Sequence, residues 1–448
     1  MHKNRKISIL GGGESGIGAA VLARQQGFDV FVSDNSGIGE IYKQELIARK
    51  IDFEENGHTL DILLDTDEII KSPGIPDHAP VIQKLTEKGI PIISEIEFAS
   101  RFTQAKLICI TGSNGKTTTT LLIFHLLKNA GLNVGLAGNI GQSFARQVAE
   151  HDYDVFVLEI SSFQLDGMFK FKADIAVITN ITPDHLDRYA YQFERYVNSK
   201  MRILQNQTPH DAVIFCADDP VLAREMSLRP LVAQRFPYSL TPHPVINGAY
   251  LENDKIKIVH LNNQFTMTLE QLALQGKHNI HNSMAAGIAA KLMDVRKESL
   301  KQSLSDFQNI AHRLEFVSSV HGISFINDSK ATNVNSTWYA LEYVDKPTVW
   351  IAGGVDKGND YESLKLLVKE KVKAIVCLGL DNSRIHEAFG ELVPDIINTE
   401  SAEDAVIEAY QLASKGDIVL LSPACSSFDL FESYEDRGNQ FKQAVNRL

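Results

Sequence analysis

Ala105-Lys-Leu-Ile-Cys-Ile-Thr-Gly-Ser-Asn-Gly-Lys-Thr-Thr118 is the stretch that organises the rest of the chain. Its opening apolar run reads as a β-strand, and Lys116 to Leu127 reads as an apolar helix that starts directly after a glycine loop. At such a junction the glycines let backbone N–H groups close on phosphate oxygens, so Gly112, Ser113, Asn114, Gly115 and Thr118 belong to an expected ATP loop. Lys116 is placed for the outer phosphates and the Thr117 hydroxyl for Mg²⁺, while the helix N-terminus adds partial positive charge. A full Walker A pattern carries glycine at position 110; here it is Ile110, so the loop is a shorter variant.

Upstream, short apolar runs at Lys6–Leu10, Asp29–Val32 and Glu68–Ile70 alternate with helix-like stretches. Gly11-Gly-Gly-Glu-Ser-Gly16 follows the first of them and opens a helix, with Asp34 at the end of the next, where a ribose-binding acid belongs. Downstream, strands are expected at Tyr153–Leu158, Asp174–Ile178 and Ala212–Phe215, a β-meander over Gly248–Leu269 and a helix over Asn279–Met293. From about residue 309 the α/β rhythm resumes, with strands at Thr348–Ile351, Ala374–Leu378 and Ile418–Leu421. The expected fold is therefore α/β in three domains: a Rossmann-like unit over 1–100, a P-loop-type ATPase unit over 101–308 and a Rossmann-like unit over 309–448.

Glu159 ends one expected strand and His185 lies just past another, so both project at the carboxyl edge where open α/β sheets bind ligands. They are candidate Mg²⁺ ligands or acid-base groups. Lys200, in an expected helix, reads by itself as a solvated lysine. Gly276-Lys-His-Asn-Ile-His-Asn-Ser283 opens a helix, and its side chains either cap that helix or reach a base and phosphates. Ala311-His-Arg-Leu-Glu315 and Asn327-Asp-Ser-Lys-Ala-Thr-Asn333 gather cations and hydroxyls suited to holding a phosphate or carboxylate. Ser422-Pro-Ala-Cys-Ser-Ser-Phe-Asp429 follows a strand and offers N–H and hydroxyl donors to an anion.

The formal charge of −12 argues against nucleic acid as a partner. Four scattered cysteines without a CxxC pair suggest neither a zinc knuckle nor a disulfide framework, and no apolar run approaches a signal or membrane segment. A reduced, cytoplasmic protein without membrane partners is expected, acting on small molecules.

Taken together and in chain order, these motifs resemble the Mur ligase family of bacterial cell-wall synthesis. The Asn327–Asn333 stretch and Ser422–Phe441 are similar to the signatures of its D-glutamate-adding branch. The histidine-containing loop of the L-alanine-adding members and the DNPR-like motif of the diamino-acid-adding branch are absent. The resemblance implies a monomer that uses ATP to join D-glutamate to UDP-N-acetylmuramoyl-L-alanine. By the same resemblance Ser15, Asp34, Asn35 and Ser72 contact the UDP-sugar together with Asn139 and His185, although Asp-Asn-Ser-Gly37 lacks the arginine expected after Asp34. Thr117, Glu159, His185 and Lys200 match the positions that hold two Mg²⁺ ions, Lys200 as a carbamylated lysine. Asn282, Arg313 and Asp328 correspond to ATP contacts. Thr332, Lys357, Ser427, Phe428 and Tyr434 correspond to the D-glutamate pocket, Tyr434 replacing an expected phenylalanine. Lys116, Asn139, Glu159, His185, Lys200 and Lys330 are the implied catalytic set. The competing expectations are a folate-extending glutamate ligase, a nicotinamide-dependent oxidoreductase and a non-catalytic UDP-sugar sensor.

Overall fold

The computed structural model describes residues 5–140, 142–184, 186–242, 246–261, 263–307, 311–356 and 358–448. The chain divides into two compact units, Met1–Phe307 and Gln308–Leu448. His185 and Lys357 lie outside the described residues.

The first unit holds two sheets. One is parallel, with order β3-β2-β1-β4-β5, from β1 (Lys6–Leu10), β2 (Asp29–Ser33), β3 (Asp52–Glu54), β4 (Glu68–Lys71) and β5 (Ile92–Ser94). The chain reverses its direction of strand addition between β1 and β4, which leaves a crevice at their carboxyl ends. The other sheet comprises β6 (Lys106–Thr111), β7 (Val134–Gly138), β8 (Val155–Glu159), β9 (Ile175–Ile178), β10 (Ala212–Cys216), β11 (Gln234–Ser239), β12 (Gly248–Glu252), β13 (Lys255–His260) and β14 (Asn263–Thr268). Its order is β14-β13-β12-β11-β10-β9-β6-β8-β7; the last three strands in sequence form the expected meander, antiparallel from β12 onward. β6, β8, β9 and β10 are almost wholly apolar and buried, as strands covered by helices on both faces must be.

The two sheets of this unit are clamped by charge and close packing. Arg146 makes a forked pair with Glu45, at 2.8 and 2.9 Å, and a third bond to Glu14 at 3.1 Å. The helix Glu14–Gln25 packs so closely on the start of Phe144–Glu150 that a Cβ at Gly18 would lie 2.0 Å from Ser143 Oγ. Only glycine fits there.

The second unit is a sheet of order β15-β16-β20-β17-β18-β19, from β15 (Glu315–Val320), β16 (Ile323–Asn327), β17 (Thr348–Gly353), β18 (Val372–Leu378), β19 (Asp395–Thr399) and β20 (Ile418–Ala424). All neighbours are parallel except β15 against β16. Trp350, Ala352, Ile375, Cys377 and Leu420 fill the core on one face, while Val349, Ile351, Val376, Val419 and Leu421 fill the other, the two-residue alternation of a strand buried on both sides. Among the described residues no helix is long and apolar enough to cross a membrane.

Candidate active site

The phosphate loop leaves β6 at the carboxyl edge of the central sheet and enters the helix Lys116–Asn129. Gly112 and Gly115 have φ of 150° and 80°, and a Cβ on Gly112 would lie 1.9 Å from Thr179 Oγ1, so both positions require glycine. The loop is held from β9: the N–H of Ser113 donates to Asn180 O at 2.9 Å and that of Asn114 to Asn180 Oδ1 at 2.8 Å. The Ser113 hydroxyl meets Thr182 O at 2.8 Å and the Tyr196 hydroxyl at 2.9 Å. Asn282, on the helix Lys277–Leu292, accepts from Thr119 Oγ1 at 3.1 Å and stands where a Cβ on Gly115 would collide with it. Thr117 is buried at the start of the loop's helix, and Thr118 Oγ1 is buried without a hydrogen-bond partner among the described residues.

Two lysines converge on this loop. Lys116 Nζ donates to Gly112 O and Ser113 O, both at 2.8 Å, and Lys200 Nζ donates to the same Gly112 O at 2.8 Å. Lys200 is only 2% exposed, against the solvated position its helix suggests, because Phe193–Met201 turns this face onto the loop and lays the amine 4.6 Å from the Tyr196 ring centre. Burial, with the nearby Lys116 charge, pushes the Lys200 amine well below its ordinary range, and the Asp184 and Glu159 carboxylates oppose this only in part.

Glu159 ends β8 beside this pair and is 2% exposed. Its Oε1 accepts from Asn139 Nδ2 at 2.9 Å; its buried Oε2 has no hydrogen-bond partner among the described residues. A buried carboxylate oxygen left without a donor fits a hard cation, and Thr117 and Lys200 lie on the same sheet edge.

At the crevice of the first sheet, Ser72 follows β4 and sits against Gly11, whose missing Cβ would lie 2.4 Å from Ser72 Oγ. Asp34 is turned onto its own loop, accepting from Gly12 N–H and from the N–H and hydroxyl of Ser36. Burial raises its carboxyl, but those bonds outweigh burial and hold it below the ordinary range. Ser15 is half-buried and Asn35 exposed. Arg188, which sequence reasoning did not single out, ties this crevice to the central sheet through Pro73 O at 3.1 Å and Gly74 O at 3.3 Å.

In the second unit, Asp328 after β16 accepts from Ser422 Oγ at 2.9 Å and Leu314 N–H at 3.2 Å. Burial raises its carboxyl to about 7, and the nearby Arg313 charge opposes that. Lys330 Nζ donates to the Tyr434 hydroxyl at 3.2 Å and lies 5.1 Å from its ring centre, so residues far apart in sequence share one corner. Ser427 is buried close to the end of β20, whereas Thr332 and Phe428 are exposed. The unforeseen residue is Arg437, 1% exposed, whose guanidinium spans Ser329 Oγ, Ser329 O and Cys425 O at 2.9 to 3.3 Å. It stitches the loops after β16 and β20 together; a lone arginine in a polar helix carries no sequence signal for this.

Three family models match in order: the Mur ligase MurD-like N-terminal domain over residues 5–94, the Mur ligase middle domain over 110–290 and the Mur ligase glutamate ligase domain over 312–425. This chain belongs to the Mur ligase family. It is 55% identical over 444 residues to a UDP-N-acetylmuramoylalanine--D-glutamate ligase of Christiangramia forsetii, covering 99% of this chain and 100% of that one. It is 56% identical over 445 residues to the enzyme of the same name from Bacteroides fragilis, again covering 99% and 100%. Among solved Mur ligase structures, UDP-N-acetylmuramate-alanine ligase of Thermotoga maritima shares the fold with a TM-score of 0.62 at 18% identity, covering 99% of each chain. A pseudomurein peptide ligase of Methanothermus fervidus gives 0.63 at 20% identity, covering 99% of this chain and 100% of that one. The expected three-domain α/β architecture of a Mur ligase is therefore the architecture of this chain.

Proposed function

We propose that this Mur ligase couples ATP cleavage to addition of D-glutamate to UDP-N-acetylmuramoyl-L-alanine, releasing ADP and phosphate in peptidoglycan precursor synthesis. The observation that carries the reading is the phosphate loop with Lys116 and buried Lys200 on one carbonyl and, beside them, a Glu159 oxygen without a partner among the described residues, in a chain more than half identical over its length to D-glutamate ligases. We assign the crevice at Ser72 and Gly11, with Ser15, Asp34, Asn35 and Asn139, to the UDP-sugar. Asn282, Arg313 and Asp328 are assigned to ATP, and Lys330, Thr332, Ser427, Phe428 and Tyr434 to D-glutamate. His185 and Lys357 complete the metal and D-glutamate sets by resemblance. The domains run 1–100, 101–308 and 309–448 in this reading, and the enzyme acts as a cytoplasmic monomer.

A carboxylate resists amine attack until one of its oxygens becomes a leaving group. Phosphoryl transfer from ATP makes the substrate carboxylate an acyl phosphate, and the amine of D-glutamate then displaces phosphate through a tetrahedral intermediate. Lys116 neutralises charge on the outer phosphates during the first transfer, and the loop N–H groups orient them. Thr117, Glu159, His185 and Lys200 are assigned to two Mg²⁺ ions, which supply charge neutralisation at the transferring phosphoryl group. Lys200 is suited to carbamylation because burial favours the neutral form of its amine, the form that adds to CO₂, forming an N–C bond, releasing a proton and leaving an anionic oxygen pair.

The test is phosphate release with ATP, Mg²⁺ and UDP-N-acetylmuramoyl-L-alanine across D- and L-amino acids, with the product mass determined. Turnover with D-glutamate alone is expected. Turnover only with another acceptor overturns the specificity, and no turnover with any pair overturns the ligase reading.

A further inference from the structure

The central sheet carries a second group of side chains at its carboxyl edge, outside the set assigned to ATP and Mg²⁺. Cys216 ends β10, Asp218 follows in the next loop, and His281 lies on the helix Lys277–Leu292. Their donor atoms, one from each residue, all lie within 4.8 Å of one another. His281 Nε2 and Asp218 Oδ2 are 2.8 Å apart, and Ser239 Oγ donates to the other oxygen of Asp218. Burial pushes the Cys216 thiol up to about 12, and the backbone N–H groups of Asp218 and Asp219 oppose this. Cys216 itself is 4% exposed, but the Asp218 and His281 side chains are 29% and 23% exposed, which leaves an entry path from solvent.

We propose that Cys216, Asp218 and His281 form a site for one thiophilic divalent cation of the Zn²⁺ or Cd²⁺ class, which sets the position of the phosphate loop from behind. The donor set is one sulfur, one imidazole nitrogen and one carboxylate oxygen, with a water completing four-coordination. Bond lengths of about 2.0–2.3 Å place such donors roughly 3.5 Å apart, so the His281–Asp218 pair opens slightly and Cys216 moves toward it. On binding, the thiol proton leaves to solvent and a metal–sulfur bond forms; no electron is transferred.

The coupling to the loop is one residue long on both sides. Asp219, next to Asp218, accepts from the N–H of Ile181 at 3.0 Å, and the neighbouring Asn180 holds the backbone of Ser113 and Asn114. Asn282, next to His281, bonds Thr119 at 3.1 Å and packs on Gly115. A bound ion therefore pulls on both supports of the phosphate loop at once. The remaining cysteines, Cys109, Cys377 and Cys425, are buried and have no such group of partners among the described residues.

The experiment titrates the full-length, metal-free protein with Cd²⁺ alone and reads the ultraviolet thiolate-to-metal absorption, comparing Cys216→Ser and His281→Gln with the parent. One equivalent is expected to produce the band in the parent, Cys216→Ser to abolish it, and His281→Gln to weaken binding roughly tenfold or more. Because His281 is partly exposed, the second variant tests the site without disturbing the core. In parallel, Cd²⁺ is expected to weaken Mg·ATP binding several-fold in the parent and not in Cys216→Ser. A band that is absent, or that survives both substitutions, overturns the site; unchanged nucleotide affinity in the loaded parent overturns the coupling.

Discussion

Two buried cations, one in each unit, have opposite surroundings. Arg437 is 1% exposed and its guanidinium nitrogens meet Ser329 and Cys425, so a cation without an ion-paired carboxylate among the described residues is fully used as a clasp. Burial lowers it only to about 10, and it keeps its charge. Lys200 is equally buried but has, among the described residues, a single hydrogen bond, to Gly112 O, and is pushed well below its ordinary range. The lesson is that burial alone does not define a structural cation. Saturated hydrogen bonding makes Arg437 part of the scaffold, and its lack leaves Lys200 a reactive amine.

The contrast is broken most severely by Arg437→Met. Ser329 O and Cys425 O then lose a buried donor, and we expect a stability loss of about 4 kcal/mol in urea unfolding, since each orphaned group costs about 1–3 kcal/mol. Wild-type stability in this variant removes the clasp. Lys116→Ala is expected to lower turnover roughly a hundredfold, about 3 kcal/mol of transition-state stabilisation, with unfolding unchanged. Near-normal turnover removes Lys116 from phosphoryl transfer. Lys200→Ala is expected to lose roughly tenfold to a hundredfold in activity without loss of stability, and small carboxylic acids are expected to restore part of it. Full activity without rescue sinks the metal-binding role.

A smaller effect separates the units by pH. Burial raises Glu95, in the first unit, to about 7 against the bonds it accepts from Ala145 N–H and Ser143 Oγ. Its folded value lies above its ordinary 4.5, so the folded state holds the proton more tightly and stability falls as pH rises from about 4.5 to about 7. Glu95→Gln is expected to flatten that slope by of order 3 kcal/mol. An unchanged pH profile of unfolding places the slope elsewhere, Asp328 in the second unit being the comparison, as it too is raised to about 7.

The legible part of the site was local. In the Thr111–Thr118 loop, the strand, glycines, lysine and helix are neighbours in sequence, and their spacing suffices to state the chemistry. The expected edge position of Glu159 could be read for the same reason, because it closes a strand, whereas Asn139 was named through resemblance alone. Asn180 and Tyr196 could not: they hold Ser113 and Asn114 across 66 and 83 residues, and nothing near either residue announces the contact. Lys200 was legible through resemblance alone, because a lysine in a polar helix has no mark that says which face is covered.

The amino-acid sequence by itself thus determined the order of α/β elements, the phosphate loop and, through its ordered motifs, the family, since these depend on periodicity and short-range geometry. Tertiary structure alone decided which charges are desolvated and which groups are left without partners. It buried Lys200, left one oxygen of Glu159 without a partner among the described residues, saturated Arg437 and brought Cys216, Asp218 and His281 to one edge. The physical reason is that desolvation and hydrogen-bond saturation are set by what lies across the sheet, and that is fixed only when distant strands pair.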